Sequence, residues 1–270
     1  MSHISYWSEI FFYRTNLFRH DMETSDYSML PFQTADIDTL SSRSDQGKNG
    51  NTLFRPSTNT ERLFEMKKGT TESTYKNYSI MTDQKRGLSC DTSILREIER
   101  QFNYAEESKS KTFFMRYDVR IPDGMYLDDN KTFRDFQANF MKNLSRQGLK
   151  PQYIAVREQS KEKHQHYHVA LFLDGQKTQS IHNHIQTAER LWDNALGLEP
   201  RENGYGLVDD CTTSRTGDKQ INGVMLRPDD PEVEKKKDDC FRRASYLAKT
   251  NTKGNAPKFQ RELFSSRIPK

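Results

Sequence analysis

The chain has 270 residues, 33% of them hydrophobic and 30% charged, with 42 Lys or Arg against 38 Asp or Glu. Its mean hydropathy of −0.98 is too low for even packing along the whole length, so the expectation is one sizeable domain with looser appended segments. No apolar run approaches the roughly 20 residues that span a bilayer, and the start lacks a secretory pattern, which points to an intracellular protein with no membrane partner. Cys90, Cys211 and Cys240 lie far apart with no CxxC pair. This argues against a zinc knuckle or a disulfide framework.

Residues 1–90 are rich in Ser, Thr, Asn and Asp without a lasting apolar period, and read as a polar, partly irregular N-terminal region. The aromatic-rich start at residues 6–13 fits either a short helix or a short strand. From residue 92 the apolar positions Ile94, Leu95, Ile98 and Phe102 recur at helical spacing behind Asp91 and Ser93 as caps. Residues 115–121 alternate apolar and polar side chains until Pro122, as in a half-buried strand. Phe133, Phe136, Phe140 and Leu144 predict an amphipathic helix that ends at Gly148. Residues 153–158 and 166–173 predict an antiparallel hairpin. A helix over 181–196, short strands near 204–208 and 223–226, and a last helix over 233–250 complete the pattern. The order βαββαβ, with an extra helix at each end, predicts an α+β fold: an antiparallel sheet with helices packed on one face and the other face open. The expected domain spans 91–255, and 256–270 reads as a basic C-terminal tail.

Alternation on a strand places His166 and His168 on one face, about 7 Å apart at the backbone, opposite Tyr167, Val169, Leu171 and Leu173. Two imidazoles so placed can share a divalent ion, and a third ligand is then required. A hairpin turn centred near Glu162 sets Glu158 opposite His166 and makes it the first choice. His164 shares the parity of the other histidines and is the alternative. His182 and His184, two apart in a predicted helix, point to different sides and receive no role. On the last helix, Tyr246 and Lys249 lie at i and i+3, where a phenol nucleophile and an ammonium can meet one phosphate. Residues 235–270 hold 11 Lys or Arg against 3 Asp or Glu, a net of +8 beside that tyrosine. A cationic surface of this kind suits a nucleic-acid backbone, with Arg242, Arg243 and Lys253 as expected DNA contacts, and a solvated basic tail is the plain alternative.

The run 166–172 resembles the His-hydrophobe-His motif of the HUH endonuclease superfamily, and Tyr246-Leu247-Ala248-Lys249 resembles its one-tyrosine YxxK motif. Residues from about 92 to 255, including 114–119 and 222–226, are similar to inovirus-type replication initiators and to the YagK/YfjJ-like C-terminal domain of prophages. The resemblance implies an RRM-like HUH fold and a Mg²⁺- or Mn²⁺-dependent nick in single-stranded or supercoiled origin DNA. It further implies a 5′-phosphotyrosine at Tyr246 and later rejoining, in the cytoplasm of a bacterial host. One motif tyrosine is present where some phage initiators have two. No GxxxxGK phosphate loop occurs in the sequence, so unwinding and synthesis are expected from a host helicase and polymerase. Two other expectations stay open: a catalytically silent DNA-binding regulator on the same scaffold, and a relaxase- or transposase-type enzyme of the same superfamily.

Overall fold

A computed structural model describes residues 69–159, 165–199, 201, 204–251, 253–254 and 256–269. The described chain opens with four short strands: β1 (Gly69–Thr70), β2 (Thr74–Tyr75), β3 (Tyr78–Ser79) and β4 (Cys90–Asp91). Helix α1 (Thr92–Ser108) follows. Its N-cap is Asp91, whose carboxylate accepts from Ser93 N and Ile94 N, as the sequence predicts. Next come β5 (Thr112–Arg120), α2 (Lys131–Arg146), β6 (Gln152–Glu158), β7 (His166–Asp174) and α3 (His182–Ala195). The chain closes with β8 (Val208–Asp209), β9 (Val224–Leu226), α4 (Val233–Ala244), a 3-10 turn (Ser245–Ala248) and β10 (Leu263–Ser265).

The main sheet is antiparallel in the order β10-β6-β7-β5-β8, and β9 also pairs with β5. The fold is therefore mixed α+β. Side-chain parity divides the sheet into two faces. Phe113, Met115, Tyr117, Val119, Val169 and Leu171 pack beneath α2 and α3. Phe114, Ile154, Val156, Ala170 and Phe172 pack beneath α1, α4 and the 3-10 turn.

This second layer corrects the expectation that helices cover one face and leave the other open. The apolar stripe of α1, from Ile94 to Ala105, needs a partner, and the exposed half of the sheet supplies it. Among the described residues of that face, the end carrying Asp118 and His166 borders an open cleft.

Order also begins well before residue 91. Strand β1 pairs with β4 and β2 with β3, while the Tyr78 ring stacks on Phe241 at 4.1 Å and 11°. Two tyrosines and Ile80 dock this segment without any periodic stripe, so the sequence pattern conceals it. At the other end, Leu263–Ser265 adds a sheet edge to β6 where a tail is expected. The residue 6–13 segment lies outside the described residues.

The last α-helix stops at Ala244, and Tyr246 sits in the 3-10 turn. In a three-residue turn, i and i+3 eclipse each other, so Tyr246 and Lys249 remain neighbours.

The aromatic cluster of Tyr78, Phe102, Phe114, Phe172 and Phe241 joins the N-terminal strands, α1, the sheet and α4. Phe241→Ala should lower unfolding free energy by about 3–5 kcal/mol in urea denaturation. Tyr78→Ala should combine with it less than additively, because the two rings share one contact.

Candidate active site

Three adjacent strands end together on the accessible part of the face. Glu158 is the Cα partner of His166 and Val156 that of His168, while Asp118 pairs with His168 on the opposite side. Glu158 Oε2 lies 3.2 Å from His168 Nε2 and 3.6 Å from His166 Nε2. The imidazole rings meet nearly perpendicularly with centroids 4.8 Å apart.

The ligand atoms of Glu158, His166 and His168 all lie within 4.8 Å of one another, and together they form a possible metal-binding triad. Both His168 ring nitrogens are buried and each faces a carboxylate oxygen, Nδ1 that of Asp118 and Nε2 that of Glu158. Two imidazole nitrogens and a carboxylate oxygen are a donor set that fits a divalent ion and leaves positions open for substrate.

Side chains behind the triad hold it in place. His168 Nδ1 lies 2.7 Å from Asp118 Oδ2, and Arg116 Nη2 donates to Asp118 Oδ1 at 2.9 Å. Asn222 fixes the Arg116 backbone, accepting from its N at 2.7 Å and donating to its carbonyl at 2.8 Å. Lys253 Nζ donates to Glu158 Oε1 at 2.9 Å.

Burial alone raises the carboxyl of Glu158, but hydrogen bonds from His166 and His168 and the charge of Lys253 hold it far below the usual carboxylate range. Burial likewise opposes ionisation of Asp118, and His168 and Arg116 overcome it. Burial lowers His168, but Asp118 and Glu158 reverse the shift and leave it raised.

Tyr246 faces this cluster. Its ring is 4.9 Å from that of His168 at 87°, with Arg116 Cζ 4.9 Å and Lys249 Nζ 3.9 Å from the ring centroid. Burial raises the phenol, Glu158 and Asp118 add to the shift, and Arg116 opposes it. Burial lowers Lys249, against the pull of Glu158. The half-buried tyrosine opens on a cleft of about 660 Å³ that His166, His168, Arg116, Arg215 and Arg243 also line.

The family described as the YagK/YfjJ C-terminal domain matches residues 70–261. The chain belongs to that family. No curated protein and no solved structure matches it. The YagK/YfjJ domain holds every residue of the triad, its supports and Tyr246, and its match begins at β1.

Within this domain the structure brings together His166, His168, Glu158, Tyr246 and Lys249. His164 lies outside the described residues. Arg243 lines the cleft and donates to Cys211 O at 2.9 Å, while Arg242 is exposed on α4.

Lys253 departs from the expected DNA contact: its side chain is 1% exposed and is spent on Glu158. Net charge along a segment does not show which cations fold inward. Arg116 and Asp118 are absent from the expected site, although strand parity places them on the face of the histidines and opposite Tyr117 and Val119. His184 is buried against Thr178 Oγ1 at 2.8 Å, consistent with no role in the site.

Asp118 fixes the orientation of His168, as carboxylates behind metal-bound imidazoles do. Asp118→Asn should weaken Mn²⁺ binding by about 10–100-fold in titration calorimetry, with helix content unchanged by circular dichroism. Unaltered affinity would remove Asp118 from this role.

Proposed function

We propose that this chain is a one-tyrosine endonuclease and ligase of the HUH superfamily that starts rolling-circle replication as inovirus-type initiators do. The observation that supports this most is the Tyr246 ring set 4.9 Å from the ring of His168, a member of the Glu158, His166, His168 triad. A tyrosine kept only for packing has no need of a candidate metal-ligand set and two cations, Arg116 and Lys249, around it. An antiparallel sheet with both histidines on its middle strand is also compatible with the RRM-like HUH arrangement.

In this reading the substrate is single-stranded DNA, or a supercoiled origin that exposes it. Tyr246 Oη attacks the scissile phosphorus, the 3′-oxygen departs as a hydroxyl, and a 5′-phosphotyrosine remains. The freed 3′-hydroxyl later attacks that linkage to rejoin the strand. Arg116 and Lys249 flank the phenol and meet the added charge on the phosphoryl oxygens.

The raised phenol requires those cations, because burial and, after it, Glu158 and Asp118 disfavour phenolate. Asp118, Lys253 and Asn222 keep the triad and Arg116 in position. Glu158, His166 and His168 would hold a divalent ion, Mg²⁺ or Mn²⁺, which would supply Lewis-acid polarisation of the phosphate and offset the charge of Glu158. Host helicase and polymerase in the bacterial cytoplasm complete the replication round. No helix among the described residues is long and apolar enough to cross a membrane.

Incubation with 5′- and 3′-labelled single strands from the candidate origins of its own element tests the proposal. The expected result is a nick and a covalent protein–DNA adduct, both dependent on Mn²⁺ and absent from Tyr246→Phe. Lys249→Ala should slow nicking by about 10²-fold or more. Binding without cleavage across those origins and both metals would instead identify a silent DNA-binding regulator.

A further inference from the structure

Among the described residues the exposed large hydrophobic side chains are Tyr126, Ile221 and Phe259. Tyr126 and Phe259 lie on loops at the end of the sheet that carries the triad, after β5 and before β10, while Ile221 lies just before β9, which pairs with the other half of β5. Phe259 is the extreme case, 93% exposed.

Neither packing nor backbone preference accounts for it. Gln260 N donates to Pro257 O at 3.0 Å, closing a turn in which Phe259 has a φ of +69°. That is the third position of a type II turn, where Gly or Asn is favoured and a bulky side chain is strained. Folding alone favours glycine here, yet the chain holds an aromatic ring out in water.

The turn is also braced. Lys253 ties the segment leading into it to Glu158 of the triad. Asn130 Nδ2 donates to Gln260 Oε1 and to Arg261 O, each at 3.0 Å. Arg157 N donates to Glu262 O at 2.8 Å. Lys258 Nζ lies 5.3 Å from the Phe259 ring centroid, and an open groove of about 530 Å³ runs past Lys258, Phe259 and Arg261.

A rigidly displayed ring with cations beside it matches the surface that holds an unpaired nucleotide, with the base stacked on the ring and its phosphates near the cations. We propose that Phe259 is a stacking platform for a nucleobase of the single strand, with Lys258 and Arg261 on the adjoining phosphates. This rests on the DNA-nicking reading, in which the strand crosses the triad and continues past Glu158 and Lys253 to this turn.

Fluorescence anisotropy of the full chain tests it, with a labelled oligothymidylate and an abasic strand of equal length as probes. Phe259→Gly suits the backbone and should leave thermal stability unchanged or raised. It should weaken oligothymidylate binding by about 5- to 150-fold without altering the slope of affinity against salt. Phe259→Trp should keep the affinity, and the abasic strand should bind wild type and Phe259→Gly alike. Equal binding of oligothymidylate by wild type and Phe259→Gly overturns this proposal and leaves the DNA reading standing. Failure of wild type to bind either strand overturns both.

Discussion

In an antiparallel sheet, residues directly opposite each other share a face, and a slip of one position sends every side chain to the other side. The register that sets Glu158 against His166 therefore decides whether a metal site can exist. The apolar positions of β7 lock it: Tyr167 stacks on Phe133 at 3.8 Å, and Val169, Leu171 and Leu173 are buried beneath α2 and α3. Moving the strand by one residue would bury both histidines among those apolar side chains. The same force that builds the core thus places the triad.

The tyrosine depends on a different set of contacts. Ser245 Oγ accepts from Met81 N at 2.8 Å, Cys90 bridges to Lys249, and Thr250 N donates to Ser89 O at 3.0 Å. The segment before α1 thus clasps the 3-10 turn on both sides of Tyr246. Leu247 and Ala248, buried in the core beside the tyrosine, anchor the turn from within, and these contacts fix it from outside. Short strands of little intrinsic stability acquire their order by closing this contact with the turn and with Phe241.

Opposite charges alternate across the site from Arg116 to Asp118, His168, Glu158 and Lys253. Most of these groups are buried, and buried ion pairs commonly stabilise less than apolar packing of the same volume. Their desolvation is offset within the chain of pairs, and the result is a fixed electrostatic arrangement around Tyr246. Such an arrangement suits a site whose charge changes in use better than one kept for stability alone.

Local patterning was enough to reveal much of this protein. Two-residue alternation identified β5, two β-rich runs about a polar stretch identified the hairpin, helical spacing identified the four α-helices of the described residues, and the hairpin's midpoint gave the Glu158–His166 pairing. These features are legible because each depends on neighbouring residues and on one apolar face. The contacts that complete the site join residues far apart in the chain: Met81 with Ser245, Arg116 with Asn222, and Glu158 with Lys253. The covering of the second face by α1 and α4, the docking of residues 69–91 and the inward turn of Lys253 are likewise settled by packing between distant segments. The sequence by itself determined which strands carry the histidines and their carboxylate. Only tertiary structure decided which tyrosine, cations and supporting carboxylate surround them, because side chains distant in sequence meet only when the layers close.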